Sequence, residues 1–178
     1  LMKSDPDGYT LMMGNVGSLV INYAMDANAP FDPMRDVVPI AGTSEYGTAM
    51  IVNNKTPVNS VKEFIDHAKA RPGKVTYSSS GTAGASHLTG VLFAMLAGID
   101  ILHVPYKGAP ASLTALVGGE IDFSLSSMAS TLPLVRGGRL RALGVSSPER
   151  YPALPEIPTV SEAGVPGYEA SSWQGLFG

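Results

Sequence analysis

The sequence predicts an α/β fold with a largely parallel sheet. Three observations predict it. From Ala49 to Val145 short β-prone runs alternate with segments of helical period, glycine pairs and prolines mark most changeovers, and 44% hydrophobic composition over 178 residues allows a buried core. Length alone suggests one domain or two small lobes.

Tyr9 to Met13 reads as a short strand, closed by Gly14-Asn15-Val16-Gly17-Ser18, after which Leu19, Ile21 and Tyr23 lead into a helical turn. Pro30, Pro33 and Pro39 punctuate a loop, and Ala49 to Val52 has the texture of a buried strand stopped by Asn53-Asn54. Ser60 and Glu63 form a capping-box pattern for a helix that buries Val61, Phe64, Ile65 and Ala68 and ends at Arg71-Pro72-Gly73. A strand then starts at Val75. Leu88, Val91, Leu92, Met95 and Leu96 form the expected core stripe of the next helix, with Gly98 just past its end.

Strand Leu102 to Tyr106, helix Pro110 to Val117, strand Ile121 to Leu125, helix Ser130 to Arg136 and strand Leu140 to Val145 complete the alternation. Beyond Ser146 the texture changes to Pro148, Pro152, Pro155 and Pro158, followed by a short helix in which Thr159 and Glu162 repeat the capping box. The proline stretch reads as a crossover between lobes.

Composition excludes several function classes. Twelve basic against 15 acidic side chains leave a net charge of −3, the wrong sign for a nucleic-acid footprint. The absence of cysteine removes disulfides and thiolate metal sites. No run of about 18 apolar residues marks a membrane span, and residue 1 opens an ordinary polar segment that has no leader pattern.

The stretch Val75 to His87 carries the chemistry. A β-rich run empties into Ser78-Ser79-Ser80-Gly81-Thr82-Ala83-Gly84-Ala85 before a helix from about Ser86, so glycine-permitted backbone and a positive helix end meet at a small polar loop. That layout suits a carboxylate or phosphate; it equally suits a tight turn with an N-cap. Gly81-Thr-Ala-Gly84 is neither G-x-G-x-x-G nor a P-loop, which disfavours nucleotides. Ser86 and His87 are neighbours about 100° apart on a helix and cannot easily meet as nucleophile and base. No G-x-S-x-G elbow exists, and His67, His87 and His103 have no metal-ligand spacing, so structural roles account for them. No cofactor is called for.

Asp7-Gly8-Tyr9-Thr10-Leu11, the serine-rich loop ending in Ser86-His87-Leu88, His103-Val104-Pro105-Tyr106-Lys107-Gly108, Gly137-Gly138-Arg139-Leu140-Arg141-Ala142-Leu143 and the run from Leu154 to Gly164 occur in one order. Together they resemble the Bug-type receptors, the extracytoplasmic solute-binding proteins of tripartite tricarboxylate transporters. The resemblance covers nearly the whole chain. It implies a two-lobed, periplasmic-binding-protein-like fold (type II, Venus flytrap), a periplasmic location, a small carboxylated solute, and hand-over to membrane-embedded transporter subunits. Lobe one would be incomplete here: 1–46 is part of lobe one, 47–147 a complete lobe two, and 148–178 the crossover and partial return. By the same resemblance the signal peptide, the first strand and loop of lobe one and its C-terminal part lie outside this sequence.

Site residues follow from the loop and the resemblance together. On lobe two they are Ser79, Ser80, Gly81, Thr82, Ala83, Gly84, Ala85 and Ser86, with Ser86 either touching the anion or, the favoured reading, capping its helix. On lobe one, Gly14 to Ser18 matches the family's second ligand loop, making Asn15, Gly17 and Ser18 candidates across the cleft. Tyr106 lines the pocket or packs in the lobe, and Lys107 is more readily solvated than bound. Ser126 stands where the family often carries an acidic residue, which tilts the expected ligand away from amines; otherwise Ser126 and Ser127 cap the following helix. A small-molecule enzyme on a related scaffold is the distant alternative.

Overall fold

The computed structural model describes residues 1–178 except Met2, Pro6 and Ala83. Two compact units divide the chain. The first comprises Leu1–Tyr46, Ala83–Ala85 and Ser172–Gly178, and the second Gly47–Thr82 and Ser86–Ser171.

In the first unit β1 (Met12–Asn15) runs antiparallel to β7 (Ser171–Phe177), with Met12 opposite Phe177 and Asn15 opposite Gln174. On its other side β7 meets the first part of β2 (Pro39–Asn53), and Val38 and Gly178 exchange both main-chain bonds at 2.8 and 2.9 Å. A π-helical turn, Gly17–Ile21, leads from β1 into the short helix α1 (Asn22–Met25). Leu19 from that turn is buried beside Gly14, where an added Cβ would collide with Leu19 and Phe177. Only glycine lets the turn fold back onto its own strand.

The second unit is built on a five-stranded sheet in the order β6, β2, β5, β3, β4. Its further strands are β3 (Val75–Ser79), β4 (Ile101–Pro105), β5 (Phe123–Ser127) and β6 (Leu140–Val145). The strand β2 alternates its side chains, Met50 and Val52 to one face, Ala49 and Ile51 to the other, and both faces are covered. One face takes α2 (Val61–Lys69) and α3 (Ala85–Ala97), where Phe64, Phe93, Tyr77 and Phe123 form a ring cluster. The other face takes α4 (Ala109–Gly118) and α5 (Met128–Arg136) through Leu113, Leu116 and Met128.

Four buried hydroxyls cross the α4 side of this sheet. Ser112 Oγ donates to Ser78 Oγ at 2.7 Å, Ser124 Oγ reaches Ser78 O at 3.2 Å, and Ser124 and Ser126 share a hydroxyl contact at 3.0 Å. Each satisfies another in a layer without water access.

Several expectations change. The sheet is mixed: β3 runs parallel to β4 and β5, but β2 is antiparallel to both β5 and β6. The strand β2 begins at Pro39, ten residues before the expected Ala49, because its first part pairs with β7, and Pro39 is tolerated at the first position, where its missing N–H matters least. The apolar stripe of α3 is only partly its core face, with Leu92 packed against the core. Val91, Met95 and Leu96 are exposed, while Thr89, Gly90 and Phe93 are buried, since the Tyr77 ring occupies the space over Gly90. Thr159 and Glu162 do exchange capping-box bonds at 2.8 and 3.0 Å, yet they close a turn instead of opening a helix. Residues 148–171 stay with the second unit, where Val160, Val165 and Tyr168 complete its core. The Ser60 capping box forms with one change: Ser60 Oγ accepts from Glu63 N–H at 3.1 Å, and the Glu63 carboxylate takes the N–H of Asn59, not Ser60.

Candidate functional site

The loop that follows β3 is held by its own serines. Ser79 is buried, because β3 alternates Val75, Tyr77 and Ser79 onto the α3 face. Its Oγ donates to Gly81 O at 3.0 Å, accepts from Gly81 N–H at 3.2 Å and stands 2.7 Å from His103 Nε2. Ser80 is exposed; its N–H donates to Ser86 Oγ at 3.0 Å and its hydroxyl lies 2.9 Å from the same atom. The N–H groups of Tyr106 and Gly108 donate to Ser79 O and Ser80 O, so the segment after β4 is tied to the start of the loop.

These bonds sort the expected contacts. The N–H groups of Ser80 and Gly81 are used internally and do not point at a ligand. Among the described residues the N–H groups of Thr82 and Gly84 have no acceptor within the protein, and the Thr82 side chain is exposed. Ala85 opens α3 and has interactions of its own, and Ala83 lies outside the described residues. Ser86 is the second residue of α3 and turns its hydroxyl back onto Ser80, which overturns the helix-cap reading. Gly81 has φ +149°, a backbone state that side chains disfavour.

Behind the loop the rings form a column. His103 lies 4.8 Å from Tyr77 and stacks on His87 at 4.1 Å with planes 22° apart. The Tyr77 phenol donates to His87 O at 3.3 Å, and burial pushes its ionisation up to about 12. Burial, and then the field of His87, hold His103 below the ordinary imidazole value, so the neutral ring is favoured. His67 lies elsewhere, bonded to the Arg71 guanidinium.

The other expected positions separate. Tyr106 is half-buried and packs against the α4 side of the core, while Lys107 is exposed. Ser126 is buried within β5 and bonded to Ser124, so it caps nothing; Ser127 is the residue before α5, and its hydroxyl meets Ser130 at 3.0 Å. In the first unit Asn15 and Ser18 hold each other: Ser18 N–H donates to Asn15 Oδ1 at 2.9 Å, and Ser18 Oγ bridges the N–H and carbonyl of Asn15 at 3.2 Å. A Cβ added at Gly17 would stand 3.1 Å from Asn15 Oδ1, so glycine leaves that exchange uncrowded. Trp173 lines a first-unit pocket of about 430 Å³ with Glu45, Gln174 and Phe177.

A family model described as the tripartite tricarboxylate transporter family receptor (TctC) matches residues 1–178. This chain belongs to that receptor family. A UPF0065 protein in the tcbD-tcbE intergenic region of Pseudomonas sp. strain P51 is 34% identical over 176 residues, 98% of this chain and 52% of that protein. BugT of Bordetella pertussis is 31% identical over 172 residues, 96% of this chain and 53% of its own length. The chain thus spans about half the length of the curated relatives it matches. Among solved structures, R. palustris Rpa4515 with adipate has a TM-score of 0.93 at 33% identity, covering 99% of this chain and 59% of that one. MatC from Rhodopseudomonas palustris with bound malate gives 0.88 at 28% identity, covering 99% and 60%. The fold of this chain is therefore that of these solved structures.

One contact of the chain is not evident from its sequence: the hydroxyl–imidazole pair of Ser79 and His103. The signal was available once β3 and β4 were paired in parallel, because Tyr77 then lies opposite His103 and Ser79 opposite Pro105. Residues 24 apart in sequence become neighbours on one face of the sheet.

Proposed function

We propose that this chain captures a small carboxylated solute outside the cytoplasm for delivery to membrane-embedded tripartite tricarboxylate transporter subunits. The observation that carries the reading is the 79–86 loop in a chain matched over its whole length by the receptor family. The Ser80 hydroxyl and the N–H groups of Thr82 and Gly84 are the proposed carboxylate donors, with Ser86 bracing Ser80. Relatives of the same fold hold adipate and malate, both dicarboxylates, which makes that class the first to test. Asn15 and Ser18 form a separate candidate contact in the first unit.

A hydroxyl 2.7 Å from an imidazole invites comparison with a hydrolase, but Ser79 Oγ is buried and committed to both the N–H and the carbonyl of Gly81. No carboxylate orients His103 among the described residues, and nothing favours turnover over capture.

The test is thermal unfolding with mono-, di- and tricarboxylates, amino acids and sugars. A ligand at 100 times its Kd adds about 2.7 kcal/mol to the native state. Stabilisation by carboxylates recovered unchanged is the expected result. Stabilisation by sugars alone would overturn the reading.

A further inference from the structure

We propose that His103 is a positioning residue for solute recognition, acting through Ser79 to fix the Gly81 peptide and the direction in which the following loop presents its donors. The inference rests on the carboxylate reading above and deepens it.

A serine hydroxyl has one proton and two acceptor positions. In Ser79 the proton goes to Gly81 O, and the acceptor positions meet Gly81 N–H and His103 Nε2. All three are filled when Nε2 carries the imidazole proton, which sets the tautomer of the ring. The ring cannot easily turn away, because Tyr77 packs at 4.8 Å and His87 stacks at 4.1 Å. The groups facing it that can titrate are thus His87 from α3 and Tyr77 from β3; the adjoining residues of β4, Leu102 and Val104, are apolar.

What this hydroxyl holds is a peptide with little other support. Gly81 sits at φ +149°, and an added Cβ there would meet nothing within 4 Å. Upstream, Ser79 O and Ser80 O are tied to Tyr106 and Gly108. The two Ser79–Gly81 bonds are the last internal tie before Thr82, where the N–H groups proposed for the solute begin. Donors that must be aimed in advance lose affinity when the last fixed peptide swings. His103 touches no proposed solute atom, so its part is positioning.

The experiment is calorimetric titration with adipate and with malate of the protein and its His103→Phe, His103→Gln, Ser79→Ala and His103→Phe/Ser79→Ala variants, each with its melting temperature. Phe keeps a ring in the stack and removes the N–H; Gln restores a donor. His103→Phe and Ser79→Ala should each bind about tenfold more weakly, the double variant no more weakly than either alone, and Gln within about threefold of the parent. If the parent binds and His103→Phe binds equally well, or the double variant loses the product of both effects, the positioning role is wrong while the receptor reading stands. A lower melting temperature with unchanged affinity is the mark of a merely structural residue and overturns the proposal too. Should His103→Phe fail to fold, Ser79→Ala removes the same tie without touching the rings, and unchanged affinity there is decisive against it. A parent protein that ignores both dicarboxylates at millimolar concentration defeats the receptor reading itself.

Discussion

Ser86 Oγ, on the first turn of α3, accepts the main-chain N–H of Ser80 at 3.0 Å and lies 2.9 Å from the Ser80 hydroxyl, so helix and loop are joined by one side chain. Ser86→Ala would leave the Ser80 N–H and hydroxyl to water at an exposed position. The fold should lose no more than about 1 kcal/mol, since water replaces the bonds. Carboxylate affinity should fall several-fold as the loop loosens, which calorimetry and urea denaturation together would separate.

Gly81→Ala probes the backbone alone. Space is open around the position, so steric collision is not at issue, but a side chain at φ +149° costs about 1–3 kcal/mol. The loop should relax to a different path. We expect weaker carboxylate binding with a modest fall in melting temperature, and retained affinity would show that the loop path is unimportant.

Gly90→Ala is the opposite case. Its Cβ would overlap the Tyr77 ring, and that ring is fixed between Phe123 and His103. Destabilisation of about 1–3 kcal/mol is expected from overpacking. Tyr77→Leu in the same background should recover part of it, readable as a shift in the urea midpoint.

Stability should depend on pH through the histidines. Burial, followed by the neighbouring charge of His87 for His103 and of Arg71 for His67, holds both below 6.5 in the native state. As pH falls through 6.5 the unfolded chain takes up protons that the native chain refuses, so stability is complete above that value and declines below it. Urea denaturation between about pH 7.5 and pH 5.5 should show the decline, and His103→Gln should reduce it.

Legibility in the sequence followed the range of the forces involved. Where a signal is local, as in Ser60 with Glu63 or the run Leu140 to Val145, the element appears where the residues placed it. The long strand β2 reads short in the sequence because Pro39 punctuates a loop there, although pairing with β7 makes its first part a strand. The face of α3 was misjudged for a tertiary reason: small Gly90 and Thr89 face inward to make room for Tyr77, which leaves Met95 outside. At the site, the loop was visible from its glycines and serines, but the division between donors spent internally and donors left over depends on Ser86 and His103 folding back onto it. Small polar residues do not announce in sequence which partner they will choose.

The four buried serines of the second unit bear on how this sequence can drift. Ser112 with Ser78 and Ser124 with Ser126 form two hydroxyl pairs, joined through the main-chain carbonyl of Ser78. Removing one hydroxyl strands its neighbour at a cost of about 1–3 kcal/mol, whereas exchanging interacting partners together for apolar residues is close to neutral. Divergence at these positions should therefore come in concerted steps. Homologues ought to keep or replace each pair, Ser112 with Ser78 and Ser124 with Ser126, as a unit, with half-converted pairs rare.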